Sequence, residues 1–364
     1  MALIELKGLT TIFGPSPAQA LAPLRAGMDK AALLAQSGHS LALNRIDLAI
    51  EAGEIFVIMG LSGSGKSTLV RHINRLIDPT EGQVLIDGRD VTALSMAELI
   101  ALRRDRLAMV FQRFGLLAHL NVLDNVALGL EMRGVPPASR RSEAARWVAR
   151  VGLAGSERLY PSQLSGGMQQ RVGLARALCA DTDIVLMDEA FSALDPLIRS
   201  QLQGELLTLQ ADFNKTIVFI THDLDEALRI GSRIAILHEG RLVQVGTPAQ
   251  VVTQPADPHV AAFVRDVNRA RAWRLASVMV PWPADLPPPV PGEALDETLT
   301  IEEALPAMLS RSTPLAVRRG SAIVGQVDMD RVRALLGPAL GPALDPALGP
   351  ALRPALGPTI SPPA

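Results

Sequence analysis

The sequence predicts an α/β fold, and three observations carry that expectation. Short apolar runs of strand length recur along the chain, and helical patterns separate most of them. One run, Ile55–Met59, is apolar throughout and ends at Gly60, as a strand buried on both faces of a parallel sheet would. Leu3–Leu6 reads as a first strand and Leu41–Ile50 as a second, with rough alternation. Between them, Pro15–Ser40 is an insertion rich in Ala and Leu. Its apolar residues Ala20, Leu21 and Leu24, then Ala32, Leu33 and Leu34, suit two short helices. Further strands are expected at Gln83–Ile86, Leu107–Val110, Ile184–Met187, Thr216–Ile220 and Arg233–Leu237. Residues from about 113 to 180 read as almost wholly helical, a helical subdomain set between two strands of the sheet.

The C-terminal part changes character. Residues 1–276 form the expected main domain, and 277–297 contain WPADLPPPVPG, a proline-rich linker. Residues 298–336 are a short mixed α/β stretch. Residues 337–364 repeat Ala, Leu, Gly and Pro every four residues. Proline at that spacing forbids a helix, and the tract has few large side chains, so a disordered tail is expected.

Composition narrows the function classes. The 364 residues are 48% apolar, enough for a sizeable core, and the formal net charge of −2 argues against a general grip on nucleic acid. The single cysteine, Cys179, permits no internal disulfide and fits a reducing compartment. No apolar run approaches the roughly 18–20 residues of a membrane span, and the N-terminus lacks the pattern of a signal peptide. A soluble, cytoplasmic chain is expected, held by another subunit if it works at a membrane.

The strongest chemical motif is Gly60-Leu61-Ser62-Gly63-Ser64-Gly65-Lys66-Ser67-Thr68, placed between a strand and a helix-compatible stretch. Its glycines let the backbone curl with N–H groups inward, where they and the helix N-terminus neutralise a polyphosphate. Lys66 is expected at the β/γ-phosphates and Ser67 on Mg²⁺. Ile184–Met187 runs into Asp188 and Glu189. Asp188 is expected to bind Mg²⁺ and Glu189 to polarise the attacking water. His222 follows the strand Thr216–Ile220 and would orient that water from the C-terminal edge of the sheet. Gln112, just past Leu107–Val110, is a candidate both for Mg²⁺ and for the water. The other histidines, His39, His72, His119, His238 and His259, read as structural or surface groups.

Together these pieces resemble the ABC (ATP-binding cassette) ATPase family. Leu164-Ser165-Gly166-Gly167-Met168-Gln169-Gln170-Arg171 is similar to the family's signature sequence, with Met168 in place of the commoner Gln. The resemblance implies a phosphate-loop cassette with a mixed sheet, an antiparallel β edge and the inserted helical subdomain. It implies that Ser165, Gly166 and Gly167 meet ATP held by a second copy, and that Gln112, Asp195 and His222 stand at the family's Q-loop, D-loop and switch positions. It also implies an aromatic residue against adenine. Phe13 fits that position, and a core side chain is the other reading of it.

The insertion, GEIFVIMGLSGSGKSTLVRHINRLIDPTEG, LSGGMQQRVGLARAL and MDEAFSALDPLIR look like the ATP-binding subunit of quaternary-amine importers. That narrower resemblance implies uptake of glycine betaine, proline betaine or choline for osmoprotection. The alternatives are an importer of another small solute or a soluble ABC ATPase outside transport. The resemblance further implies a homodimer, a membrane permease, a periplasmic or extracellular solute-binding protein, and a peripheral place on the cytoplasmic face of the inner membrane, with no nucleic-acid partner. The segment after Gln112, through Val122, is expected to help receive a permease helix, or to be core. Residues 298–336 resemble at most one shortened CBS (cystathionine-β-synthase) unit.

Overall fold

The computed structural model describes residues 2–111, 115–192, 194–265, 268–283, 294–311 and 313–336. The chain divides into two compact units, Met1–Val267 and a second beginning at Asn268.

The first unit opens on a long hairpin, β1 (Ala2–Phe13) and β2 (Ser40–Glu51), with α1 (Leu21–Arg25) and α2 (Lys30–Ser37) between its strands. The two helices form where the apolar spacing places them. Ala20 and Leu33 are buried with Ile12 and Leu41 in a small cluster of their own, while Leu34 faces solvent. Asp29 caps α2 by accepting from the Ala32 N–H at 2.7 Å. β3 (Ile55–Met59) leads to α3 (Lys66–Ile73), then to β4 (Glu81–Ile86), β5 (Arg89–Asp90), α4 (Met96–Arg106) and β6 (Leu107–Val110). Next come three helices, α5 (Val122–Met132), α6 (Pro137–Arg150) and α7 (Gly166–Cys179). β7 (Ile184–Asp188), α8 (Pro196–Phe213), β8 (Thr216–Thr221), α9 (Leu224–Ile230), β9 (Arg233–His238), β10 (Arg241–Gly246), α10 (Pro248–Thr253) and α11 (Pro258–Phe263) complete the unit.

Two sheets result. One is antiparallel, in the order β2-β1-β4-β5. The other runs β10-β9-β3-β8-β7-β6 and is parallel except for its β9–β10 edge. Every residue of β3, β7 and β8 is buried, the mark of strands covered on both faces. Leu69, Val70 and Ile73 of α3 join Ile4, Leu43, Ile58, Leu186 and Ile220 in one core shared by both sheets. Burying such side chains contributes roughly 1.5–3 kcal/mol each.

β1 is three times as long as the reading Leu3–Leu6 allows. Gly8, which punctuates the sequence, sits at a bulge rather than a strand end, and pairing with β2 resumes at Leu9–Ile46. Two short strands were not expected from the sequence. β5 and β10 each follow a two-residue turn, Asp87-Gly88 and Glu239-Gly240, with positive φ at both residues. The helical stretch is pinned by Asn125, fully buried on α5. Its amide donates to the Leu117, Leu120 and Asn121 carbonyls and accepts from the Leu117 N–H. Val122 is core, whereas Leu117 is exposed.

The second unit holds α12 (Leu275–Val278), β11 (Leu295–Asp296), α13 (Ile301–Leu309), β12 (Leu315–Arg319), β13 (Ala322–Val327) and α14 (Met329–Leu336). β11 pairs parallel to β12, and β12 antiparallel to β13. Leu275, Val278, Ile301, Met308, Val317 and Val332 form its core. Part of the stretch read as linker, 277–297, therefore belongs to this fold: Val280 bridges Gln326, and Leu295 pairs with Val317. The expected tail, 337–364, lies outside the described residues. Among the described residues, no helix is long and apolar enough to cross a membrane.

Candidate active site

The loop Gly60–Thr68 connects β3 to α3 at the C-terminal edge of the parallel strands. Its backbone could not be built from larger residues. A Cβ on Gly60 would stand 2.2 Å from the Leu237 carbonyl, and one on Gly65 2.5 Å from the Ala42 carbonyl. Gly65 caps α3 with no side chain, so no side-chain cap competes for the N–H groups of the first turn. Such donors, at the positive end of a helix dipole, form an anion site.

Lys66 is buried and donates to the Gly60 and Leu61 carbonyls at 2.8 and 3.0 Å. Burial pushes its ammonium below the usual lysine range, and the charges of Glu189 and Asp188 oppose that shift. Ser67 Oγ donates to Asp188 Oδ1 at 2.9 Å, across from α3 to the end of β7. Burial raises the Asp188 carboxyl, and the Ser67 bond and the nearby Arg71 charge hold it down. Asp188 Oδ2 is buried with no hydrogen-bond donor; its nearest cation is Arg71, at 3.6 Å.

Glu189 follows directly, with φ of +50°, a conformation that non-glycine residues rarely hold. Its N–H reaches the Ile220 carbonyl of β8 at 3.2 Å, and its Oε1 lies 3.3 Å from His222 Nδ1. The arrangement places a carboxylate and an imidazole side by side beyond adjacent strands, where both can act on one water.

The structure thus brings together the loop, Asp188, Glu189 and His222. It sets the remaining candidates elsewhere. Ser165 caps α7 by accepting from the Met168 N–H at 3.3 Å, and Gly166 has open space around it. Among the described residues, Ser165, Gly166 and Gly167 make no hydrogen bond to the loop. Asp195 caps α8 by accepting from the Ile198 N–H at 3.0 Å. Phe13 ends β1 opposite Ser40 and is 44% exposed, so it is not a core side chain. Gln112 lies outside the described residues.

Two residues escape the sequence reading. Arg71 faces Asp188 because it lies four residues past Ser67, one turn along the same face of α3. That spacing is the signal that could have found it. Gln170, buried on α7, donates to the Glu189 carbonyl at 3.4 Å and so touches the candidate base from the signature helix. No local pattern marks it.

A curled glycine loop on a helix N-terminus, with an Asp-Glu pair and a histidine at the adjoining strand ends, defines an ATP-hydrolysing cassette. Residues 43–192 match the ABC transporter family. The chain is 48% identical over 336 residues to the glycine betaine/proline betaine transport system ATP-binding protein ProV of Salmonella typhimurium, covering 92% of this chain and 83% of that protein. It is 50% identical over 280 residues to the glycine betaine/carnitine transport ATP-binding protein GbuA of Listeria monocytogenes, covering 77% and 70%. The structure is similar to the dimeric structure of MJ0796, a bacterial ABC transporter cassette, at a TM-score of 0.59 and 35% identity, over 67% of this chain and 97% of that one. The chain belongs to the ABC transporter ATP-binding proteins.

Proposed function

We propose that the chain energises import of a quaternary amine, with glycine betaine and proline betaine the first solutes to test. The observation that carries the ATPase part is the cluster of Lys66, Ser67, Asp188, Glu189 and His222 at one sheet edge. The solute rests on the 48% identity to ProV.

ATP would lie on the Gly60–Thr68 loop, with its phosphates on the α3 N–H groups and Lys66 and its adenine against Phe13. Glu189, held beside His222, would take the proton of the attacking water. Mg²⁺ fits the residues present. Ser67 Oγ and the Asp188 carboxylate converge, and Asp188 Oδ2 is a buried acceptor without a donor. Gln112 would complete the set. The ion would neutralise charge developing on the phosphates. A second copy would close the site with its Ser165-Gly166-Gly167 helix terminus, and Asp195 would face that copy.

A groove of about 350 Å³ supports the permease partner. Ile100, Leu107, Met109, Leu128 and Met132 line it, from α4, β6 and α5. Ile100 and Met132 are each more than half exposed, an apolar lining suited to an amphipathic helix. The chain would then sit on the cytoplasmic face of the inner membrane, with a solute-binding protein on the far side of the permease. We read the second unit as the shortened CBS-like element, a small fold with its own core.

Uptake tests this reading. Cells carrying the chain with a candidate permease and solute-binding protein should accumulate labelled glycine betaine at high osmolarity, and Lys66→Ala should abolish it. Normal ATPase activity without betaine uptake would keep the cassette and overturn the solute.

A further inference from the structure

A second groove stands apart from the ATP site. α1, β1, β2 and β4 enclose about 580 Å³, and no residue of Gly60–Thr68, nor Phe13, Asp188 or Glu189, lines it. Its charge is one-sided: Lys7, Arg25, Arg45 and Arg241 face a single carboxylate, Glu81. Arg25 takes up Glu81, and Lys7 pairs outside the groove with Glu5 at 3.1 Å. The side chains of Arg45 and Arg241 have no ion pair and no hydrogen bond among the described residues. Asn44 is also on the lining, and its Oδ1 is buried without a donor.

The floor is built from irregular backbone. Between the pairs Leu9–Ile46 and Thr11–Leu43, the two residues Asn44 and Arg45 oppose Thr10 alone. Arg45 holds φ of +50° there, and the Thr10 hydroxyl accepts its N–H at 3.1 Å. Bulges of this kind re-aim side chains. On the other flank, Gly82 comes so close to β1 that a Cβ would stand 2.6 Å from the Gly8 carbonyl. Arg241 leaves the Glu239-Gly240 turn, whose Gly240 carbonyl accepts from the Asn44 N–H at 2.8 Å. Backbone strain and close packing thus hold open guanidinium groups in one place, in a chain whose formal charge is −2.

We propose that this groove binds a small phosphorylated metabolite, independently of ATP. Guanidinium forks match phosphate oxygens, so Arg45 and Arg241 donate to the phosphate. Asn44, on the same lining, hydrogen-bonds a hydroxyl or amino group of the same molecule. The volume suits a small molecule, within the roughly 300–1,000 Å³ of ligand pockets.

The test is calorimetric titration of the full chain, already saturated with a non-hydrolysable ATP analogue. The probes are glycerol 3-phosphate, pyrophosphate and inorganic phosphate. We expect one glycerol 3-phosphate per chain with the analogue in place, and tighter binding than inorganic phosphate. Arg45→Gln with Arg241→Gln should weaken it at least about tenfold, and Asn44→Ala should remove the preference over inorganic phosphate. Arg241→Gln alone, which leaves the bulge untouched, should weaken it about fivefold, guarding against a misfolded double variant. Absence of binding by all three probes would overturn the proposal. So would competition with the ATP analogue, or equal affinity in the arginine variants.

Discussion

His72 shows how one residue ties the loop helix to the hairpin. Its ring bonds the Thr11 hydroxyl at 2.6 Å and the Ile77 carbonyl at 2.8 Å. Burial pushes the ring below the usual histidine range, with the Ile77 bond and Asp78 opposing. A folded state that refuses a proton the unfolded chain accepts loses stability as pH falls below about 6.5, by at most about 1.4 kcal/mol per pH unit. Urea unfolding at pH 7 and 5.5 should therefore show a drop in stability that is smaller in His72→Gln. Identical drops would remove His72 from the account. At the active site, Asp188→Asn should abolish ATP hydrolysis measured by phosphate release. Removing Arg71, which holds only one flank of that carboxylate, should lower it less. The residues of the loop, Asp188, Glu189 and His222 could be picked from the sequence because each follows an apolar strand that ends at the same sheet edge. Arg71 is marked only by its four-residue spacing from Ser67 and Gln170 by no local pattern, because their contacts exist only once α3 and α7 pack beside Asp188 and Glu189.

The elements were legible where a single periodicity ran unbroken. Ile55–Met59, Ile184–Met187 and, after its first threonine, Thr216–Ile220 are strands because their runs are apolar and short, and the structure buries all of them. Only a third of β1 is legible as a strand, because a bulge at Gly8 interrupts its alternation without ending the strand. β10 carries a weaker signal although Glu239-Gly240 marks a hairpin, since Arg241–Gly246 is only partly buried. In the helical stretch the decisive residue is polar. Asn125→Ala would leave the Leu117 N–H and three carbonyls without their side-chain partner. The expected cost is about 2–4 kcal/mol, read as a lower urea midpoint with an unchanged slope. A change under about 0.5 kcal/mol would mean that water replaces the amide freely.

At the scale of the molecule, two cores imply two separable units. Truncation after Val267 should leave ATP hydrolysis and the melting temperature of the first unit close to those of the whole chain. Truncation after Val280 should behave worse, because it strands Leu275 and Val278 without Val317, Val327 and Val332, their partners in the second core. Equal behaviour of the two truncations would contradict the placement of 275–280 in the second fold. The sequence signalled a composition change near this boundary, but proline content marked the linker, while the fold is set by a few apolar residues on either side of it. In the proposed assembly the loop Gly60–Thr68 would be half of a site, completed by Ser165-Gly166-Gly167 of a second copy. Sedimentation of Glu189→Gln with and without Mg·ATP tests it most directly. A monomer is expected without nucleotide, a stable dimer holding two unhydrolysed ATP with it, and dissociation when Ser165→Arg blocks the helix terminus. A Glu189→Gln chain that binds ATP tightly and stays monomeric, or that hydrolyses ATP at the parent rate, would contradict it.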